Sequence, residues 1–147
     1  MRSTSLRAGL VAVLAAVTTA APAIAQQETL EPISTRTGVF TAEQASTGEE
    51  LFMVVCGECH QPADFEEETF LAAWAGQTVE ALFKEIRATM PEDSPGSLKS
   101  SEYAAILAYL FRLNGLPPGD SALPASTRRM QGIVIEPPAP KEEGGPR

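Results

Sequence analysis

The chain has 147 residues, two cysteines, one histidine and a formal net charge of −8 at pH 7. This length allows one small domain and excludes a multidomain enzyme. The acidic balance disfavours generic nucleic-acid binding, because phosphate contacts need clustered Lys and Arg. Two cysteines are too few for a disulfide scaffold, so a core this small needs another stabilising element. Pro and Gly toward the C-terminus predict a looser tail.

The N-terminus predicts a cleaved export signal over residues 1–25. Arg2 and Arg7 precede an uncharged apolar run, and Ala23 and Ala25 give the small-x-small pattern of a cleavage site. The run is shorter than the roughly 20 residues that span a bilayer, which favours cleavage over retention as an anchor. Loss of both arginines changes the net charge from −8 to −10. We therefore expect a soluble periplasmic monomer without a transmembrane segment after cleavage.

Helical periodicity without βαβ alternation predicts an all-α fold of about four helices. An extended lead-in over residues 26–40 precedes the first helix. Thr41 is expected to accept from the backbone N–H of Gln44, whose side chain reaches back to Thr41. Apolar residues at three- and four-residue steps then continue this helix into Cys56.

Three further helices follow the same reasoning. Pro91 is expected to end the second of them and to hold the residue before it extended. The domain is predicted over residues 41–119, followed by a Pro-rich extension over residues 120–147 whose last dozen residues look disordered. Within the extension, Ile133 to Ile135 is expected to lie against the core. The predicted helices run from Asp64 to Gly76, from Thr78 to Met90, and from Ser100 or Ser101 to Asn114.

The chemistry-bearing motif is Cys56-Gly57-Glu58-Cys59-His60, the C-x-x-C-H pattern of covalent c-type haem attachment. Two thiols at this spacing can reach the two vinyl groups of one porphyrin, and the next residue then offers its imidazole to the iron. A structural zinc site needs four ligands, and this chain has only three N or S donors. A dithiol redox site lacks its usual βαβ setting. A plain disulfide beside a bystander histidine is the remaining alternative.

The sixth iron ligand is predicted to be Met90. Because His60 is the only histidine, the sixth ligand is a methionine, a weaker side chain or water. Met53 lies too close to the motif in sequence to reach the opposite haem face, and Met130 belongs to the Pro-flanked tail. Met90 precedes a proline on a loop, where it can project. The alternative for Met90 is an ordinary core methionine.

These features together resemble the class I cytochromes c, which are single-haem periplasmic electron carriers. In that family the first and last helices cross at a small residue, which implies that Gly48 and Phe52 meet the last helix at Ile106 and Tyr109. The resemblance also implies that Trp74 donates to a haem propionate; a core indole is the alternative. It covers most of residues 41–119 and rests on Gly48, Phe52, Cys56, Cys59, His60, Trp74, Met90-Pro91 and Ala108-Tyr109-Leu110.

The resemblance implies a mono-haem carrier of single electrons rather than an enzyme. The loop after Met90 and the last helix are similar to those of small cytochromes that serve periplasmic quinoprotein dehydrogenases, and related subunits serve terminal oxidases. The alternatives are a fixed subunit of a dehydrogenase or oxidase complex, or a haem peroxidase or gas-binding protein. The family usually has a proline well after the histidine, whereas Pro62 follows His60 by two residues. The group that orients His60 is therefore unassigned.

Acidic residues are concentrated near the haem-attachment motif. Such a face either keeps the protein soluble or steers it toward a basic redox partner. The residues of this acidic patch are Glu49, Glu50, Glu58, Asp64, Glu66, Glu67 and Glu68.

Overall fold

A computed structural model describes residues 32–66 and 68–139, and the predicted export signal lies outside them. The described residues are mainly helical, as predicted, and none of their helices is long and apolar enough to cross a membrane. A π-helical segment, Phe52–Cys56, continues the first helix. The helices are α1 (Ala42–Leu51), α2 (Glu68–Trp74), α3 (Val79–Thr89), α4 (Ser100–Leu113) and α5 (Thr127–Met130), and the strands are β1 (Ile33–Ser34) and β2 (Ile133–Val134).

The close crossing of α1 and α4 organises the fold. A Cβ atom on Gly48 would lie 1.8 Å from the carbonyl oxygen of Ala105, so only glycine allows this approach. One turn further along, the ring of Phe52 packs against that of Tyr109 at a centroid distance of 5.3 Å. Phe52 and Tyr109 share a buried cluster with Ile106. The helix contact implied by the family resemblance is therefore present.

The helix N-termini agree only partly with the predicted caps. The hydroxyls of Thr41 and Thr78 cap α1 and α3, as expected. The Gln44 side chain does not return to Thr41: its amide donates to the Leu123 carbonyl at 2.9 Å and accepts from the Leu123 N–H at 2.7 Å. The prediction of Ser100 or Ser101 as the cap of α4 is wrong. Lys99 occupies that position, and the Glu102 carboxylate accepts from its N–H at 2.7 Å.

The C-terminal extension completes the core, so the expectation of a looser tail is wrong for its described part. Four of its apolar side chains, Leu123, Met130, Ile133 and Ile135, are buried in the same cluster as the inner faces of α3 and α4. The short helix α5 was not predicted. Backbone hydrogen bonds from Gly76 N–H to the Ile135 carbonyl and from Ile135 N–H to the Gln77 carbonyl attach the extension to the turn before α3.

The extension also fastens the lead-in. Strands β1 and β2 pair in parallel, with Ile33 opposite Ile133. The buried Thr35 hydroxyl donates to the Glu136 carbonyl at 3.0 Å and accepts from the Glu136 N–H at 2.9 Å. Of the last dozen residues, predicted to be disordered, Glu136 is thus bonded on both sides of its backbone, while residues 140–147 lie outside the described residues. The expected packing of Ile133 to Ile135 on the core is confirmed.

The close helix crossing predicts that Gly48→Ala lowers the free energy of unfolding strongly. The added methyl group has to separate α1 from the α4 backbone, and we expect the free energy of unfolding to fall by about 3 kcal/mol. This loss exceeds the gain of about 1 kcal/mol that alanine brings to a helix interior. Denaturant unfolding of the two proteins measures the difference.

Thr47→Ala is the matched control, because Thr47 is the exposed neighbour of Gly48 on α1. We expect its stability to stay within about 0.5 kcal/mol of the wild type. A Gly48→Ala protein as stable as the control would show that the two helices do not need this close approach.

Candidate cofactor site

A cavity of about 920 Å³ lies beside the α1–α4 crossing. This volume is at the upper end of the range of about 300–1,000 Å³ found for small-molecule sites. The π-helical segment after α1, the inner faces of α3 and α4, and the loop after α3 all contribute to its wall. Much of that wall is apolar and includes Phe52, Val55, Phe70, Leu82, Ile86, Ile106 and Leu110. The cavity can therefore hold a large, mostly apolar molecule.

The C-x-x-C-H motif forms a tight turn on this wall. The backbone N–H groups of Cys59 and His60 both donate to the Cys56 carbonyl, at 3.1 and 2.9 Å. Gly57 makes the turn possible, because a Cβ atom there would lie 2.6 Å from the Met53 carbonyl oxygen. Both thiols and the imidazole border the same cavity. π-Helical turns of this kind are frequently found at functional sites.

The state of the thiols bears on the alternative interpretations of the motif. Cys56 and Cys59 are unpaired in this structure. Burial raises the pKa of the Cys56 thiol above its ordinary value, whereas the reactive cysteine of a dithiol redox site has a lowered pKa. Among the residues that the structure describes, no group of three His, Cys, Asp or Glu side chains could hold a metal ion. The zinc and dithiol alternatives therefore find no support.

His60 lies between an aromatic ring and a carboxylate. Its ring meets that of Phe65 edge-on at a centroid distance of 5.4 Å, and its Nδ1 atom lies 4.0 Å from Oδ2 of Asp64. The same Oδ2 atom accepts from the Gln61 N–H at 2.8 Å, which holds Asp64 over the turn. Sequence reasoning placed Asp64 at the start of the second helix and in the acidic patch. The structure shows that it is a charged neighbour of the histidine.

The turn that carries Asp64 is tied to α4. Its last residue, Phe65, accepts at its carbonyl from the side-chain amide of Asn114 at 2.6 Å. The Phe65 ring also meets the rings of Phe52 and Phe70 edge-on, at 5.6 and 5.3 Å. The segment after His60 is thus held by the hydrogen bond from Asn114 and by the packing of Phe65 against Phe52 and Phe70.

Met90 borders the cavity from a different part of the chain. It follows α3 with extended backbone angles (φ −125°, ψ 150°), as the proline after it predicts. Its side chain faces the same cavity as His60. Met53 is 56% exposed and Met130 is fully buried in the main core; neither borders the cavity. Among the methionines of the described residues, only Met90 therefore meets the site.

A buried tyrosine near Met90 was missed as a functional residue. The hydroxyl of Tyr103 donates to the carbonyl oxygen of Met90 at 2.7 Å. Helical periodicity places Tyr103 on α4 but does not show which group its hydroxyl contacts.

Trp74 ends α2, borders the cavity and also packs against the main core. The indole ring of Trp74 is thus part of both the cavity wall and the packing around the main core. Arg87 of α3 is exposed, and its guanidinium group lies 3.4 Å from the Ser100 hydroxyl. It does not border the cavity.

The electrostatics of the cavity mouth are one-sided. Four carboxylate residues border the cavity, and no Lys or Arg of the described residues does. Three of the four were not in the predicted acidic patch. Of that patch, Glu49 is neutralised by Arg112 at 2.7 Å, and the side chains of Glu67 and Glu68 lie outside the described residues. The four bordering residues, called the acidic rim below, are Glu58, Glu85, Glu92 and Asp93.

Comparison with known families agrees with this geometry. Residues 43–110 match the family model described as cytochrome c oxidase, cbb3-type, subunit III. No curated protein and no solved structure matches the chain significantly. The matched segment runs from α1 into α4 and contains the helix crossing, the C-x-x-C-H motif and Met90. The match supports a class I c-type cytochrome domain over these residues, and such a domain implies covalently bound haem and electron transfer.

Proposed function

We propose that this protein is an exported mono-haem cytochrome c that carries single electrons between larger redox proteins and catalyses no reaction of its own. One observation carries the proposal. Both cysteines and the only histidine of the chain border one cavity, and Met90 borders it from a distant segment. A single C-x-x-C-H motif and two cysteines provide for one covalent haem.

The residues that line the cavity fit a covalently bound haem. The cavity is large and mainly apolar, and two free thiols stand on its wall at the spacing that haem c attachment requires. Cys56 and Cys59 would hold the porphyrin by thioether bonds, and Trp74 would approach a propionate from the end of α2. When bound, haem supplies the one-electron redox chemistry.

Two side chains would hold the iron. His60 and Met90 are the proposed ligands, and ligation by both would leave the iron no open position for a substrate. This argues against a peroxidase or a gas-binding protein. Methionine and histidine together favour a raised potential, and the apolar wall acts in the same direction by disfavouring extra positive charge.

The sequence supports a proposed location, and the family resemblance supports a proposed partner. Residues 1–25 support export to the periplasm, where the proposed donor or acceptor is a quinoprotein dehydrogenase or a terminal oxidase. A second candidate is a fixed haem subunit of such a complex, because the matching family model is described as an oxidase subunit.

The first test is covalent haem in a defined cell fraction. We expect denaturing electrophoresis with a haem stain to mark one band at the mature size in the periplasmic fraction of a host with haem-maturation machinery. Replacement of both Cys56 and Cys59 by alanine removes the attachment points and should abolish the stain.

Mass spectrometry of the stained band supplies the count, with one haem and an N-terminus at Gln26 expected. A colourless wild-type band in that host would sink the haem assignment. A stained band that stays with the membranes would favour the fixed subunit over the mobile carrier.

The second test is the sixth ligand. We expect Met90→Ala to lower the reduction potential, because methionine ligation raises it, and to open the iron to cyanide or carbon monoxide. Met130→Leu is the control: it changes a buried methionine with little change in volume, and both properties should stay as in the wild type. If the two variants behaved the other way round, Met130 would be the ligand.

The third test concerns the acidic rim. With a small cationic cobalt(III) complex as oxidant, the rate of oxidation of the reduced protein should fall as ionic strength rises, because exposed charges are screened over about 8 Å at physiological salt. With ferricyanide, an anion, the rate should rise instead. Glu92→Gln combined with Asp93→Asn should weaken both trends.

Glu43→Gln is the matched control, since Glu43 is an exposed carboxylate at the start of α1 that does not border this cavity. It should leave both trends nearly unchanged. Oxidation rates that ignore salt in the wild type would show that the rim does not steer encounter.

A further inference from the structure

The backbone of Met90 is held on both of its polar groups. Its N–H donates to the Ile86 carbonyl at 2.8 Å, which makes it the end of α3. Its carbonyl oxygen accepts from the Tyr103 hydroxyl at 2.7 Å and from the Gly96 N–H at 3.4 Å. The short bond from the phenol is therefore the main link between this loop residue and another helix.

Tyr103 is itself immobilised. It is 1% exposed, and its ring meets that of Phe83 at a centroid distance of 6.1 Å and an interplanar angle of 78°. It stands on α4, the helix that is fixed against α1 by the crossing at Gly48. The phenol of Tyr103 thus holds Met90 at a fixed position relative to α4.

We propose that Tyr103 is a positioning residue for the iron ligand Met90, and that its hydrogen bond keeps the sixth position closed. The inference rests on the proposed function, in which Met90 binds the iron. An iron–thioether bond is retained only while the loop presents the sulfur at the right depth. A loop freed from the phenol spends more time with the sulfur withdrawn, and an external ligand can then enter.

The test is the rate at which cyanide binds the oxidised haem protein. Cyanide replaces the thioether sulfur on ferric iron: one iron–sulfur bond breaks, one iron–carbon bond forms and the oxidation state does not change. We expect Tyr103→Phe to bind cyanide up to about tenfold faster, as the loss of one buried hydrogen bond predicts. The far-red sulfur-to-iron charge-transfer band should weaken in the same variant.

Tyr109→Phe is the matched control. It removes the only other tyrosine hydroxyl of the chain, from the same helix and at a site 4% exposed, and this residue does not border the cavity. Its cyanide rate should equal that of the wild type. Equal rates for Tyr103→Phe and the wild type would overturn the inference.

A second measurement keeps the inference testable if Tyr103→Phe does not fold. In the Tyr109→Phe background Tyr103 is the only tyrosine, so 3-fluorotyrosine supplied in the medium changes this phenol alone. At mildly acidic pH the fluorinated phenol is protonated and is a stronger donor. Cyanide binding should then be about twofold slower, and an unchanged rate would again overturn the inference.

Met90→Ala separates failure of the inference from failure of the ligand assignment. With Met90 as ligand, Met90→Ala removes the charge-transfer band, and Tyr103→Phe adds no further rate increase in that background. A Tyr103 role limited to general stability would speed cyanide binding in both backgrounds. If Met90→Ala left the band intact, the ligand assignment and the inference would both be wrong.

Discussion

The contact of Gly48 with the backbone of Ala105 is the constraint on which the rest of the structure depends. It fixes α1 against α4, and the cavity is then lined by the π-helical segment that continues α1 and by α4 itself. The continuation of α1 carries the two thiols and the histidine, while α4 carries Tyr103 and the apolar side chains behind the cavity. A wider crossing would move the C-x-x-C-H turn away from the wall that it shares with Met90.

A domain of this size has little core of its own, and two additions compensate for it. One would be the apolar surface of the proposed haem within the cavity. The other is the C-terminal extension, which buries Met130 and Ile135 in the main core and holds the lead-in through Thr35 and Glu136. Because the extension is bonded to the turn before α3, it also supports the helix that ends at Met90.

Features of local origin were predictable from the sequence. The hydroxyls of Thr41 and Thr78 accept from backbone N–H groups three residues further along the chain. A proline restricts the backbone of the residue before it, so both effects depend only on neighbours in the chain. The haem motif depends on spacing alone. The partners of Gln44, Asp64 and Tyr103 were not predictable, because each is set by tertiary packing or by a turn whose geometry the sequence leaves open. The burial of the extension was not predicted, because its prolines are typical of a loop and its buried apolar residues are scattered along the sequence.

The acidic rim and the apolar wall act on the proposed redox centre in opposite directions. Carboxylates stabilise the more positive, oxidised state, whereas apolar burial and methionine ligation favour the reduced state. The rim side chains of Glu58, Glu92 and Asp93 are exposed, and two charges 4 Å apart in water interact by only about 1 kcal/mol. Electrostatic interaction energies are larger for buried groups, because the dielectric constant around them is lower. On the proposed function, the wall and the ligands would therefore be the main determinants of the potential. The rim would act mainly on encounter with a redox partner, because its charges add up and no ordered contact is needed.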